Sequence, residues 1–313
     1  GEAGRSIMIA FLFPGQGSQR AGMYELLGDK ANETDELFDI AKEATGRDVL
    51  SLCKDATDEE LKQTYNTQLS VTAMNLAFAT LLKHRGVTPD VVAGHSLGQL
   101  SALHEAGVLS TYDLFRLVNK RAELMSGLKE SGKLATILGL EKNVVEAVCE
   151  ETCQTTDQVR IALENSYKQY VIGGREADVD VAVAKMKEAG ALKIVEIRVS
   201  NAFHTYMMEP MVEPFKEFIN TLDFQEPKTK ILLNSKGGYG TSASEIKEDV
   251  IRQCVNVVKW EDCMRQMLTL ENLTIAEVGV GKMMSSMIRG IDRSQKVYLT
   301  SNTNDFNDLA KGV

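Results

Sequence analysis

Residues 91–100 read VVAGHSLGQL, in which an apolar run leads directly to a serine between two glycines. The apolar run predicts a buried strand, and residues 97–107 are predicted to form the helix that follows it. Small flanking residues allow a sharp strand-to-helix turn that exposes the serine hydroxyl. Ser96 is therefore a candidate nucleophile, and the alternative is a glycine-rich turn without a chemical role.

The chain before residue 130 alternates helices with short strands that are apolar on both faces. Residues 7–13 form a continuous apolar run that stops at the glycine-rich loop 14–19. Helices are predicted over 34–44, 67–84 and 113–128. This alternation is typical of an α/β fold with a mainly parallel sheet.

Residues 131–199 follow a different order of elements, strand-helix-strand-strand-helix-strand, which is typical of a ferredoxin-like unit. Strands at 230–234, 275–278 and 297–299 then resume the parallel pattern. We therefore predict an α/β-hydrolase-like large subdomain with a mainly parallel sheet, formed by residues 1–130 and 200–313. A ferredoxin-like small subdomain, residues 131–199, is inserted into it.

Composition excludes several classes of protein. The 313 residues carry 35 basic and 44 acidic side chains, a net charge of −9, without a dense basic run. This argues against nucleic acid as a partner. Apolar stretches are too short for a membrane span. The five cysteines are irregularly spaced, which argues against a metal site or a disulfide framework and is typical of a reduced, cytoplasmic protein.

A serine nucleophile needs a base, and the chain has four histidines. His84 ends a predicted helix, His95 adjoins the strained turn, and His104 lies ~12 Å along the helix from Ser96. His204 lies where the inserted unit rejoins the large subdomain, and such junctions commonly form clefts. His204 is the candidate base, although a loop histidine bonded to the backbone would fit the same position.

The helix predicted over 113–128 carries a charge on its apolar stripe. Arg121 lies seven residues after Leu114 on that stripe, whereas Arg116 and Lys120 fall on the polar face. A buried guanidinium needs an anionic partner, because an unpaired buried charge is very costly. The partner is either an internal carboxylate, water reached by the side chain, or the carboxylate of a substrate held in a bidentate pair.

Gln16 follows the first strand within the sequence PGQGSQ, residues 14–19. A glycine-flanked residue at the carboxyl end of a strand can give its backbone N–H to an oxyanion hole. An ordinary glycine turn is the alternative.

Four segments taken together resemble the malonyl-CoA:acyl carrier protein transacylases: FPGQGSQ at 13–19, GHSLG at 94–98, Arg121, and AFH at 202–204. The match runs over nearly the whole chain, in the family's order and spacing. The resemblance implies that Ser96 accepts the malonyl group of malonyl-CoA as an ester. The phosphopantetheine thiol of holo acyl carrier protein would then remove it, with His204 as general base and acid.

The resemblance also implies roles for four further positions. Backbone N–H groups of Gln16 and Leu97 would form the oxyanion hole, and Arg121 would bind the free malonyl carboxylate. Phe203, beside the acyl pocket, would disfavour an α-methyl branch by ~1–3 kcal/mol. We expect a monomeric cytoplasmic enzyme of fatty-acid or polyketide synthesis. Its substrate is a coenzyme A thioester, and we expect no metal and no permanently bound cofactor.

Three positions depart from the family pattern. Gln99 stands where the family usually has Glu, and residues 256–260 read NVVKW instead of Asn-Pro-Val-x-Trp. There the resemblance assigns the orientation of the base to the main-chain carbonyl of Lys259. In the segment LENSYKQ, residues 163–169, only Asn165 and the final Gln match the family, and Asn165 is assigned to substrate binding.

Two other functions fit parts of the pattern. A serine esterase would take the acid of its triad from one of the aspartates between Ser96 and His204, namely Asp113, Asp157, Asp178 or Asp180. A non-catalytic protein that binds acyl groups or coenzyme A is the second alternative.

Overall fold

The computed structural model describes residues 6–153, 159–197, 199 and 201–312. The strands are β1 (Met8–Phe13), β2 (Val91–Gly94), β3 (Lys133–Leu138), β4 (Val159–Ser166), β5 (Gln169–Gly174), β6 (Lys193–Ile197), β7 (Lys230–Leu233), β8 (Gly238–Gly240), β9 (Leu273–Glu277) and β10 (Val297–Leu299). The α-helices are α1 (Asp35–Thr45), α2 (Val49–Asp55), α3 (Asp58–Lys62), α4 (Thr64–His84), α5 (Gly98–Glu105), α6 (Thr111–Ser126), α7 (Lys142–Thr152), α8 (Glu176–Glu188), α9 (Val212–Ile219), α10 (Ala243–Arg252), α11 (Trp260–Met267), α12 (Met283–Ile291) and α13 (Thr303–Ala310). Short 3-10 helices cover Met23–Thr34, Tyr206–Met211 and Gln253–Val255.

The larger sheet has the strand order β10-β9-β1-β2-β7-β8. Its first five strands are parallel, and only β8 runs antiparallel to its neighbour β7. Alternate residues of β1 enter different cores: Phe11 and Phe13 pack on one face, Ala10 and Leu12 on the other. Both faces of the central strands are therefore covered, which explains their continuously apolar sequences. The predicted α/β class with a mainly parallel sheet is confirmed.

The smaller sheet is antiparallel throughout, with the order β4-β5-β3-β6. Its elements follow one another as β3-α7-β4-β5-α8-β6, the order predicted for a ferredoxin-like unit. Helices α7 and α8 pack on this sheet through a core of its own, which includes Ile137, Val145 and Val179. The exact limits of the two subdomains remain a prediction, and Ser200, at one limit, lies outside the described residues.

A backbone contact joins the two sheets. The N–H of Glu164 in β4 donates to the carbonyl of Val258 at 2.8 Å, and the N–H of Val258 donates to the carbonyl of Ala162 at 3.0 Å. Val258 belongs to the segment that leads into α11 of the large subdomain. These two hydrogen bonds hold β4 beside the carboxyl end of the parallel sheet. A cleft lies between the two sheets.

The helical segment after His204 has two parts. Residues Tyr206–Met211 form a 3-10 helix that contains Pro210, and α9 begins only at Val212. Proline lacks the N–H that an α-helix interior requires, which explains the division. Within the described residues, none of the helices combines the length and apolar character that crossing a bilayer requires.

Candidate active site

Ser96 occupies a turn in which positions 94 and 98 have to be glycine. Its φ is 54°, a left-handed conformation that non-glycine residues rarely adopt. A Cβ on Gly94 would lie 1.9 Å from the carbonyl oxygen of Gly98, and a Cβ on Gly98 would lie 2.1 Å from that of Phe13. The two glycines are therefore required by close backbone approach, and the turn presents Ser96 at the carboxyl end of β2.

Replacing Gly98 with alanine is expected to destabilise the protein by about 3 kcal/mol or more, because the added methyl group overlaps a backbone carbonyl that cannot move freely. Urea unfolding measures the change. Gly127→Ala is the control, since a Cβ there would meet no atom closer than 3.5 Å. Equal stability of the two variants would contradict the close packing of the turn.

Ser96 and His204 form a hydrogen-bonded pair. The Ser96 Oγ lies 2.6 Å from the His204 Nε2, and the Nδ1 of the same ring lies 2.9 Å from the carbonyl oxygen of Gln253. A carbonyl can only accept, so Nδ1 carries the proton and Nε2 is free to accept the serine proton. His204 is 1% exposed and has a φ of 65°. The pair has the geometry of a nucleophile and its general base.

The assignment of the orienting carbonyl to Lys259 is wrong. Lys259 precedes the first turn of α11, and its carbonyl accepts the N–H of Cys263 at 3.1 Å. The helix therefore uses this carbonyl, and the Gln253 carbonyl holds His204 instead.

A Ser…Asp…His triad is also wrong for the aspartates that the structure describes. The position of a triad carboxylate, at Nδ1 of His204, is taken by a backbone carbonyl. Asp113 bonds Arg116 and Asp180 bonds Lys133, both away from the histidine. Asp157 lies outside the described residues.

Burial keeps the His204 imidazole neutral. It lowers the pKa of His204 from 6.5 to about 3, and the positive charge of Arg121 adds to this effect, while the hydrogen bond to Gln253 opposes it. The base is thus unprotonated, and able to accept a proton, throughout the neutral pH range.

This low pKa predicts an unusual pH profile. A histidine base is inactive when protonated, so its activity falls as the pH drops through its pKa. Labelling of Ser96 by a sulfonyl fluoride is expected to keep a constant rate from about pH 8 down to about pH 5. A decrease centred near pH 6.5, the ordinary value for histidine, would contradict the burial argument.

Arg121 is buried without a carboxylate partner in the described part of the chain. It is 4% exposed, and its Nη1 donates to the Oε1 of Gln68 at 2.8 Å. Burial lowers the pKa of Arg121 to about 10, which still leaves it charged at pH 7. The alternative of an internal Asp or Glu is therefore wrong for the acidic residues that the structure describes. The cation faces the same cavity as Ser96 and is available to an anionic ligand.

The cleft between the subdomains contains a cavity of about 420 Å³. Seven of the eight predicted site residues line it, Lys259 being the exception: Ser96, His204, Arg121, Gln16, Leu97, Phe203 and Asn165. Neither the N–H of Gln16 nor that of Leu97 donates to an acceptor among the described residues. Both are therefore available to a developing negative charge beside Ser96.

Asn165 has a different contact from the one expected. Its Oδ1 lies 2.7 Å from the Nε2 of His95, whose ring packs edge-on against Trp260 at 5.4 Å. The amide oxygen is thus engaged inside the protein, and only the amide nitrogen remains for a ligand. The His95 ring is thus engaged with Asn165, and the Ser96 hydroxyl pairs with His204.

Two amide side chains that the sequence did not indicate support the turn. Asn234 accepts the N–H of Ser96 at 2.8 Å and donates to the carbonyl of Gly94 at 2.8 Å. The Nε2 of Gln253 donates to the carbonyl of Ser96 at 2.9 Å and to the Oδ1 of Asn234 at 3.0 Å. Asn234 follows β7, and a polar residue at the carboxyl end of a parallel strand was the one available signal.

In the described part of the chain, no group of three or more His, Cys, Asp or Glu side chains is placed to hold a metal ion. The arrangement in the cavity is that of acyl transfer: a nucleophile, a neutral base, two free N–H groups and a cation.

Comparison with known proteins agrees with this chemistry. The family model for the acyl transferase domain matches residues 10–298. The malonyl CoA-acyl carrier protein transacylase of Bacillus subtilis is 34% identical over 295 residues, which cover 94% of this chain and 93% of that protein. The crystal structure of the malonyl-CoA:acyl carrier protein transacylase from Xanthomonas oryzae pv. oryzae has a TM-score of 0.92 and 33% identity, covering 98% of each chain.

A third similar structure holds a type II PKS acyl-carrier protein in complex with its malonyl-transacylase. It has a TM-score of 0.92 and 28% identity and covers 98% of this chain and 100% of that one. Family, fold and site thus agree, and the chain belongs to the acyl transferase family as a member of the malonyl CoA-acyl carrier protein transacylases.

Proposed function

We propose that this protein transfers the malonyl group from coenzyme A to the phosphopantetheine thiol of acyl carrier protein through a malonyl ester of Ser96. One observation carries the proposal: Arg121, a buried cation with no carboxylate partner among the residues that the structure describes, lines the same cavity as the Ser96–His204 pair. An esterase that acts on neutral substrates does not need a buried cation in its cavity. An acyl group that ends in a carboxylate, in contrast, provides the anionic partner of Arg121.

In the first half of this ping-pong reaction, the Ser96 hydroxyl passes its proton to the Nε2 of His204 as Oγ attacks the thioester carbonyl. The oxyanion that forms lies within reach of the N–H groups of Gln16 and Leu97. When the intermediate collapses, the carbon–sulfur bond breaks and His204 returns the proton to the departing thiolate. Coenzyme A leaves, and malonyl remains on Ser96.

In the second half, the carrier's thiol gives its proton to His204 and the thiolate attacks the ester. The bond from carbon to Ser96 Oγ breaks, and the serine oxygen recovers the proton. The hydrogen bond from His204 to the Gln253 carbonyl holds the ring in one tautomer through both halves. Because His204 is neutral before each half-reaction, it can accept a proton from the serine hydroxyl in the first and from the carrier's thiol in the second.

Arg121 and Phe203 set the choice of acyl group in this proposal. A bidentate pair between Arg121 and the malonyl carboxylate fixes the acyl chain in the cavity and occupies space that water would otherwise fill. Phe203 lines the same cavity and leaves little room for a branch next to the carbonyl.

The substrate is a coenzyme A thioester, and the proposal includes no resident cofactor. Carrier proteins of this pathway are acidic, and this chain has a net charge of −9. Docking therefore uses a local basic patch. We further propose a monomeric cytoplasmic enzyme that serves fatty-acid or polyketide synthesis.

Intact mass spectrometry tests the proposal. After incubation with malonyl-CoA, the protein is expected to gain the mass of one malonyl group, and peptide mapping should locate it on Ser96. Added holo carrier protein should remove this mass and acquire it. Rapid hydrolysis that is unaffected by the carrier would identify an esterase, and no gain of mass would identify a non-catalytic binding protein.

A further inference from the structure

A chain of hydrogen bonds continues from Ser96 away from the cavity. The N–H of Asn234 donates to the Oε1 of Gln99 in α5 at 2.7 Å, and the Nε2 of Gln99 donates to the Oδ2 of Asp249 in α10 at 2.6 Å. Gln99 is completely buried. The chain therefore connects α10 through Gln99 to Asn234, and through Asn234 to the backbone of Ser96.

Asp249 also interacts with the segment that contains Asn234. Burial raises the pKa of the Asp249 carboxyl, while Gln99 and the polar groups of Ser235, the residue next to Asn234, oppose this rise. Neither Gln99 nor Asp249 is among the residues that line the cavity. Their side chains therefore act on the reacting atoms through Asn234.

The hydrogen-bonding groups of Gln99 and Asp249 are complementary. An amide at position 99 can accept from Asn234 with its oxygen and donate to Asp249 with its nitrogen at the same time. A glutamate, which is usual at this position in the family, would present a second carboxylate oxygen to Asp249 at hydrogen-bonding distance. Two carboxylates so close repel each other unless one takes up a proton. In this chain an amide at 99 thus goes together with a carboxylate at 249.

We infer that Gln99 and Asp249 are positioning residues of the transfer reaction. Asp249 holds the Gln99 side chain, and Gln99 holds the backbone N–H of Asn234. The side-chain amide of Asn234 then holds the left-handed backbone of Ser96 and so keeps its Oγ beside the His204 Nε2. Small displacements of a nucleophile from its base strongly lower the reaction rate, since a shift of about 1 Å can reduce it about 100-fold. The inference rests on the proposed function but concerns the nucleophile and not the identity of the acyl group.

A charge exchange between the two positions tests the inference. Gln99→Glu is expected to lower kcat for malonyl transfer about 10- to 100-fold, with the KM for malonyl-CoA nearly unchanged, because the cavity itself is not altered. The double variant Gln99→Glu/Asp249→Asn restores the hydrogen bond with donor and acceptor exchanged. Its kcat is expected to return to within about fivefold of the wild-type value.

The rate at which phenylmethylsulfonyl fluoride labels Ser96 is measured on the same variants. This rate depends on the Ser96–His204 geometry and not on which acyl group the enzyme transfers, so it separates the inference from the proposed function. It should fall in Gln99→Glu and recover in the double variant. Glu248→Gln, at an exposed position beside Asp249, is the control for a change of charge on α10.

Thermal melts accompany each rate measurement. A purely structural role would lower the Tm of Gln99→Glu and leave the labelling rate of the folded protein unchanged, which would overturn the inference. It would also be overturned if the double variant were no faster than Gln99→Glu alone.

Discussion

Replacing Ser96 with alanine is expected to abolish the malonyl-enzyme and to lower malonyl transfer at least about 10³-fold. The reason is that the reaction then has no group to carry the ester, and His204 has no hydroxyl to activate. Intact mass after mixing with malonyl-CoA, together with the rate of malonyl transfer to carrier protein, measures the loss.

Ser126→Ala is the matched control for this experiment. Its hydroxyl donates to the carbonyl of Ala122 within α6, and the residue does not line the cavity. It should retain ordinary rates. A Ser96→Ala protein that still gained the mass of a malonyl group would place the nucleophile elsewhere.

Replacing Arg121 with alanine is expected to lower kcat/KM for malonyl-CoA about 10²- to 10³-fold. This corresponds to about 3–4 kcal/mol, at the lower end of the ~3–5 kcal/mol commonly lost when one member of a buried ion pair is removed and the other charge remains. Acetyl-CoA has no free carboxylate, so its slow transfer should change much less. The measurement compares kcat/KM for the two thioesters in the wild type and the variant.

Arg116→Ala tests whether any positive charge on α6 would have the same effect. Arg116 lies on the same helix, pairs with Asp113 and is partly exposed, so its loss should affect neither thioester. If Arg121→Ala reduced malonyl and acetyl transfer equally, Arg121 would have a structural role and would not bind the carboxylate.

The sequence predicts those parts of the site that depend on local pattern. The turn at Ser96 is encoded within five residues, because two close backbone contacts demand glycine at fixed positions. Arg121 is detectable because a charge interrupts an apolar period of 3.6 residues. The ferredoxin-like order follows from the alternation of short elements, since each element has its own pattern.

Contacts between distant segments cannot be read in this way. The carbonyl that orients His204 belongs to Gln253 and not to Lys259, because α11 begins at Trp260 and takes the Lys259 carbonyl for its own first turn. A backbone carbonyl carries no residue-specific signal. Asn234 and Gln99 are likewise ordinary polar residues until the fold brings them together over 135 positions.

Both members of the catalytic pair have a positive φ, 54° at Ser96 and 65° at His204. A positive φ destabilises a residue that has a side chain by roughly 1–2 kcal/mol, and glycine avoids most of this cost. Laboratory evolution that selects this enzyme only for heat resistance would therefore favour glycine at the two positions on which turnover depends. Selection for thermal stability therefore has to be combined with a screen for activity, because otherwise it will yield a more stable protein that is inactive.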